Sequence, residues 1–239
     1  AAICGSGSGC ARGDGERPVT MSDSPYLFAP APPASLGIVG NTRRFAVGRV
    51  FCVGRNYAEH AREMGSDPVR EPPFFFSKHA SSVVAGGALA YPPMTSDLHH
   101  EVELVVAIGP DGIAGHAVGI DFTRRDLQAA AKAAARPWDM AKGFDGAAPV
   151  GLLTLGATMP DAAISLSVDG VVRQSGKLSD MIWSVPEIIA ELARYLVLRP
   201  GDLIFTGTPA GVGPVAVGAR LHAHIDGLAP LDLTIAPPA

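Results

Sequence analysis

Three carboxylates stand where they could share a cation. Glu101 and Glu103 flank Val102 at the start of an apolar run, residues 101–109 (EVELVVAIG). Alternate side chains of a strand share a face, so these two carboxylates point the same way. Held side by side they repel unless a proton or a cation lies between them. Asp121, just ahead of a helix-forming stretch, offers a third carboxylate. Oxygen-only ligands suit a hard ion such as Mg2+ or Mn2+ better than zinc. His99 and His100 are close enough in sequence to leave a mixed histidine–carboxylate site open. Two acids on a solvated strand edge are the other reading.

His60 and Glu63 are a second pair, three residues apart and hence neighbours on one face of a helix. A carboxylate beside an imidazole fixes its tautomer and raises its basicity, as a base that activates water requires. An ordinary surface pair has the same spacing. Residues 206–213 (TGTPAGVG) form a glycine-rich turn after a strand. It lacks the Lys–Ser/Thr of a phosphate loop, so it is either an anion-binding turn of backbone N–H groups or a purely structural one. Lys142 is a lone lysine in a semi-apolar segment and says nothing by itself.

These residues need a scaffold. Residues 49–54 (RVFCVG), 74–78 (FFFSK), 102–109 and 201–207 (GDLIFTG) read as strands. Residues 56–64 (NYAEHAREM) read as a brief helix, started by Asn56 and stopped near Gly65. Residues 123–135 (TRRDLQAAAKAAA) predict a helix capped by Thr123, with Asp126 in its first turn. Residues 164–174 alternate around Asp169–Gly170, a two-residue hairpin signal, and a second Asp–Gly hairpin is expected at Asp226–Gly227. Ser184 and Glu187 have capping-box spacing at the head of another helix. Strands outnumber helices and hairpins join them, so the expected class is α+β, dominated by antiparallel sheet.

The 239 residues are 47% hydrophobic with a net charge of −4, enough for a real core and without a basic surface for nucleic acid. The apolar runs are too short to span a bilayer. Cys4, Cys10 and Cys52 make neither a disulfide framework nor a zinc pattern, which favours a reducing, cytoplasmic setting with Cys52 a buried small hydrophobe. Residues 1–20, rich in Gly, Ser and Ala, read as a disordered or artificially appended extension. Residues 21–48 are an N-terminal segment, and 49–239 a single catalytic domain.

In order, GRNYAEH (54–60), FSK (76–78), EVE (101–103), DFTRRDLQ (121–128), AK (141–142) and GDLIFTGTPAGVG (201–213) resemble the motif set of the fumarylacetoacetate hydrolase superfamily. The chain looks most similar to its fumarylpyruvate hydrolases and related acylpyruvases. That resemblance implies a mixed β-sandwich roll, a homodimer, and one Mg2+ or Mn2+ on Glu101, Glu103 and Asp121. It implies catalytic roles for His60, Glu63 and Lys142, with His60 and Glu63 on a short helix that often acts as a lid. Substrate-binding roles fall to Arg55, Tyr57, Lys78, Arg125, Gln128 and Thr208, the last in the turn that holds the substrate carboxylate. The implied activity is cleavage of the carbon–carbon bond of a 2,4-dioxo acid, such as fumarylpyruvate to fumarate and pyruvate in gentisate-type aromatic catabolism. Oxaloacetate decarboxylation, and tautomerisation or hydration of a 2-keto acid, are alternatives on the same scaffold. A non-catalytic metal-binding relative is an alternative of another class. One departure stands out. Between Gly109 and Ile120 the chain is shorter than the family pattern, which has a connecting helix there. Either the loop is deleted, which would put the placement of Asp121 in doubt, or a segment is absent from the sequence; the intact motifs on both sides favour the absent segment.

Overall fold

Two sheets carry the molecule, and alternation along the strands decides what lies between them. The computed structural model describes residues 26–63 and 71–239, without the side chains of Ala61 and Glu63. The expectations for residues 1–20 and for Met64 fall outside the described residues. The chain divides into Ala1–Pro32, of which residues 26–32 are described as exposed bend and coil, and Pro33–Ala239.

In the second unit, a six-stranded sheet has the order Thr154–Leu155, Gly112–Ile120, Val102–Gly109, Leu203–Phe205, Val50–Gly54, Phe74–Lys78. Leu203–Phe205 runs parallel to Val50–Gly54, and the other neighbours are antiparallel. A five-stranded sheet has the order Val171–Lys177, Ala163–Val168, Arg220–Ile225, Leu231–Ala236, Gly87–Ala90, with only the last pair parallel. The architecture is α+β and strand-dominated, as expected.

Strand Val102–Gly109 is buried along its whole length. Leu104, Val106 and Ile108 join a cluster with Ile164, Leu166, Ala223 and Leu233 of the smaller sheet. Val105 and Ala107 point the other way, into a second cluster with Cys52, Leu203, Phe205, Leu36 and Leu153. Both faces of the larger sheet are covered, which explains the near-continuous apolar run in its sequence. Burying side chains of this size stabilises by roughly 1.5–3 kcal/mol each.

The hairpin at Asp169–Gly170 forms with both residues left-handed, φ 52° and 79°, the geometry of a type I′ turn. Ser184 heads the helix Val185–Leu192, its N–H donating to Glu187 Oε2 at 2.9 Å. Two local expectations are corrected. The helix expected over 123–135 runs Arg125–Ala133. Thr123 is buried in a two-residue strand opposite His99, and its hydroxyl contacts the Asp121 carbonyl instead of capping. The Asp226–Gly227 turn widens to residues 226–230 before the next strand.

The short stretch after Gly109 closes as a hairpin. The strands Val102–Gly109 and Gly112–Ile120 close directly through Pro110 and Asp111, with Gly109 opposite Gly112 and Val102 opposite Ile120. Ala114 is left unpaired as a bulge between Gly115, opposite Ala107, and Ile113, opposite Ile108. With this register Asp121 stands beside Glu101.

Candidate active site

That register delivers the third carboxylate. Val102 faces Ile120, so the next residues outward, Glu101 and Asp121, meet across the ladder, and Asp121 N–H donates to the Glu101 carbonyl at 2.8 Å. Glu103 is next along the strand on the same face. Oxygens of Glu101, Glu103 and Asp121 lie within 4.8 Å of one another, on side chains that are 6%, 2% and 1% exposed. Neither His99 nor His100 joins them. His99 pairs with Asp97 and His100 with Gln174, so the mixed histidine–carboxylate reading is not what the fold assembles.

Buried acids at this density need positive charge. Lys142, on the one-turn helix Asp139–Lys142, places Nζ 2.8 Å from both Glu101 Oε2 and Asp121 Oδ2. Lys78 Nζ is 2.8 Å from Asp121 Oδ1 and donates to the carbonyls of Phe122 and Lys142. Arg125 donates to Glu101 Oε1 and, at 2.7 Å, to Gln128 Oε1. Burial opposes the charge on Glu101, but Lys142 and Arg125 outweigh it and hold its carboxyl well below the usual range. Burial likewise opposes the charge on Lys142, yet Asp121 and Glu101 keep it protonated beyond an ordinary lysine.

Glu103 is the exception. Its Oε2 accepts the Gly207 N–H at 2.7 Å, and among the described residues no cationic side chain pairs with it. Burial, Asp121 and Glu101 together push its carboxyl well above the ordinary value. A hard divalent cation held by the three carboxylates would supply the missing positive charge, so the donor set and its electrostatics fit such an ion.

A cleft of about 440 Å³ opens onto this centre. His60, Arg55, Arg125, Gln128, Lys142 and Thr208 line it together with the three acids. His60 is buried on the helix Ala58–Glu63, while the Glu63 side chain lies outside the described residues. Two residues expected to touch substrate do not line the cleft. Lys78 stands behind Asp121, and Tyr57 is buried, its hydroxyl without a hydrogen-bond partner among the described residues. Burial, with Glu103 a lesser cause, pushes the Tyr57 phenol up, as an apolar wall would.

The glycine turn is locked on both sides. Gly207 has φ 97°, and a Cβ there would lie 2.6 Å from the Asn56 Cβ. Asn56 in turn receives the Trp183 N–H and donates to the carbonyls of Trp183 and Thr206. The turn, the carboxylate strand and the start of the His60 helix are thereby one assembly. Lys132 and Trp138, which the sequence reading passed over, also line the cleft, with Lys132 Nζ 5.1 Å from the Trp138 ring centre. The signal for Lys132 was there: Arg125, Gln128 and Lys132 have i, i+3, i+7 spacing on one helical face.

Known proteins share the sequence pattern and the fold. The family model described as fumarylacetoacetate (FAA) hydrolase C-terminal matches residues 49–236. The crystal structure of fumarylpyruvate hydrolase from Pseudomonas aeruginosa in complex with Mn2+ and pyruvate is 49% identical, with a TM-score of 0.86, covering 89% of this chain and 99% of that one. Fumarylpyruvate hydrolase of a Ralstonia species is 42% identical over 70% of this chain and 94% of its own. A mitochondrial oxaloacetate tautomerase of Arabidopsis thaliana is 41% identical over 78% of this chain and 90% of its own. The register that gathers three buried acids, the lysine between them and the match across residues 49–236 agree, and the chain belongs to the fumarylacetoacetate hydrolase family of enzymes, with the hydrolases that act on carbon–carbon bonds.

Proposed function

We propose that the chain hydrolyses an acylpyruvate, with fumarylpyruvate the substrate and fumarate and pyruvate the products. The observation that carries this reading is the meeting, in one cleft, of three buried carboxylates, buried Lys142 and buried His60. Glu101, Glu103 and Asp121 would hold Mg2+ or Mn2+, and such an ion would supply Lewis-acid polarisation of a 2-oxo acid there.

The chain's own groups do the rest. His60, oriented by Glu63, removes a proton from water, whose oxygen attacks the C4 carbonyl. The tetrahedral carbon expels C3, the bonding pair stays with the pyruvate fragment as its enolate, and Lys142 faces the oxygen where that charge grows. Protonation at C3 completes pyruvate, and the acyl carbon leaves as a carboxylate. Arg125, Gln128 and Thr208 hold the substrate's first carboxylate. Lys78 and Tyr57 support the walls.

The mouth of the cleft favours a second negative charge on the acyl group. Arg55 and Lys132 line it, and among the described residues neither forms an ion pair with a carboxylate. Arg55 is also held at φ 60°, a conformation costly for a side-chain-bearing residue and common at binding sites. The dicarboxylate fumarylpyruvate meets both cations; an acylpyruvate with a neutral acyl group does not.

Turnover in H2 18O tests the reaction type. Hydrolysis places one 18O in the fumarate carboxylate, and unlabelled product would contradict the attack by water. The similarity to an oxaloacetate tautomerase supports a second reading, in which the same centre only enolises oxaloacetate. Under that reading wild type enolises oxaloacetate and releases no pyruvate from fumarylpyruvate. A homodimer in the cytoplasm belongs to the proposal, and sedimentation of the purified protein measures its mass.

A further inference from the structure

The most completely bonded side chain around the cleft is one outside the proposed catalytic set. Gln174 is fully buried in Val171–Lys177, a strand whose other residues are mostly exposed. Its orientation comes from a bulge. Leu166 pairs with Gln174 and Ser167 with Val172, which leaves Arg173 unpaired and reverses the alternation. Val172 therefore stays 64% exposed while Gln174 turns inward.

All four hydrogen-bonding positions of its amide are filled. Oε1 accepts the Val102 N–H at 3.0 Å and lies 2.9 Å from His100 Nδ1. Nε2 donates to the Pro209 carbonyl at 2.8 Å and lies 2.8 Å from Thr208 Oγ1. Two of these partners have only one possible role. A peptide N–H can only donate and a carbonyl can only accept, so the amide has one orientation. The other two roles then follow. His100 carries its proton on Nδ1, and Thr208 Oγ1 accepts from Gln174.

A hydroxyl that accepts from a fixed amide retains its own hydrogen to give away. Thr208 lines the cleft, and among the described residues no acceptor takes that hydrogen. Strand and turn also pack in close backbone contact. A Cβ on Gly211 would lie 2.0 Å from the Arg173 carbonyl oxygen, and one on Gly176 would lie 3.0 Å from the Pro209 Cβ.

We infer that Gln174 is a positioning residue of this site: it makes the Thr208 hydroxyl a one-way donor aimed at a carboxylate or carbonyl oxygen of the ligand. The same side chain ties the first N–H of the carboxylate strand to the turn, so the acids and the oxygen-binding hydroxyl keep a fixed spacing. The role of Thr208 rests on the functional reading above, but the test does not need turnover.

The test is pyruvate binding to the Mn2+-loaded protein by calorimetry. Gln174→Glu keeps the size and still accepts from Val102, but it offers Thr208 an acceptor and draws the hydroxyl's hydrogen out of the cleft. Thr208→Val removes the hydroxyl. Each change is expected to weaken pyruvate about tenfold, the scale of one hydrogen bond to a charged group. The double variant should be no weaker than either single one, while Thr208→Ser stays within about twofold of wild type. Losses that multiply in the double variant would assign the Gln174→Glu effect to its added charge and overturn the inference. Unchanged binding in Gln174→Glu would do the same. Should Gln174→Glu not fold, Thr208→Ser and Thr208→Val decide, and equal affinities for those two overturn it. Absence of fumarylpyruvate turnover in wild type would sink the proposed activity and leave this binding comparison intact.

Discussion

The two ends of the cleft are built on opposite principles. At the inner end Glu101, Asp121, Lys142 and Lys78 are buried and paired at 2.8 Å, held by one hairpin, a second strand and a one-turn helix. At the mouth Arg55 and Lys132 are exposed and, among the described residues, unpaired with acids, on a loop and a helix surface. Low dielectric makes inner charges strong, and it makes any missing partner costly. Solvent and salt weaken the outer ones. The proposed function puts chemistry at the first end and substrate selection at the second, and the difference can be pressed experimentally.

The largest effect is expected at Lys142. Lys142→Met leaves Glu101 and Asp121 short of a buried cation, a loss of about 3–5 kcal/mol for a broken buried pair, visible as a lower Tm of the metal-free protein. With metal, kcat for fumarylpyruvate should fall by about 10²–10³ and KM by much less, since the lysine acts where charge develops. A pure KM effect would move Lys142 to ground-state binding.

Next is Gly207→Ala. The added Cβ meets Asn56 and must hold φ near 97°, so the turn shifts and the N–H on Glu103 is lost. A cost of roughly 1–3 kcal/mol is expected, together with weaker Mn2+ binding. Unfolding curves and metal titration measure the two separately, and unaltered metal affinity would uncouple turn from centre.

At the mouth the effects should be smaller and erasable. Lys132→Met is expected to raise KM for fumarylpyruvate by roughly three- to tenfold at low salt, with little change for acetylpyruvate, and the difference should shrink as salt is added. A salt-independent loss, or equal losses on both substrates, would break the contrast between the two ends. Smallest of all is the response of Cys52. Burial pushes its thiol well up, so native alkylation near pH 8 should label at most two of the three cysteines, and all three after unfolding.

What could be read from the sequence divides by the reach of the contact. Glu101 and Glu103 show themselves as a pair because alternation is local. Asp121 does not: it meets Glu101 through a hairpin register that depends on the bulge at Ala114, which no local pattern shows. Lys132 was legible from helical spacing. Gln174 was not, since Val172 and Gln174 should share a face, and only the bulge at Arg173 separates them. Thr123 resembled a cap because the sequence does not show that a ladder partner, His99, claims it first.

The most direct measurement of the central claim is pyruvate release from fumarylpyruvate, with Mg2+ or Mn2+ and with EDTA, alongside oxaloacetate. Fast release that needs the divalent ion and disappears in His60→Ala is the predicted result. Metal-dependent conversion of oxaloacetate, with fumarylpyruvate left intact, would contradict it.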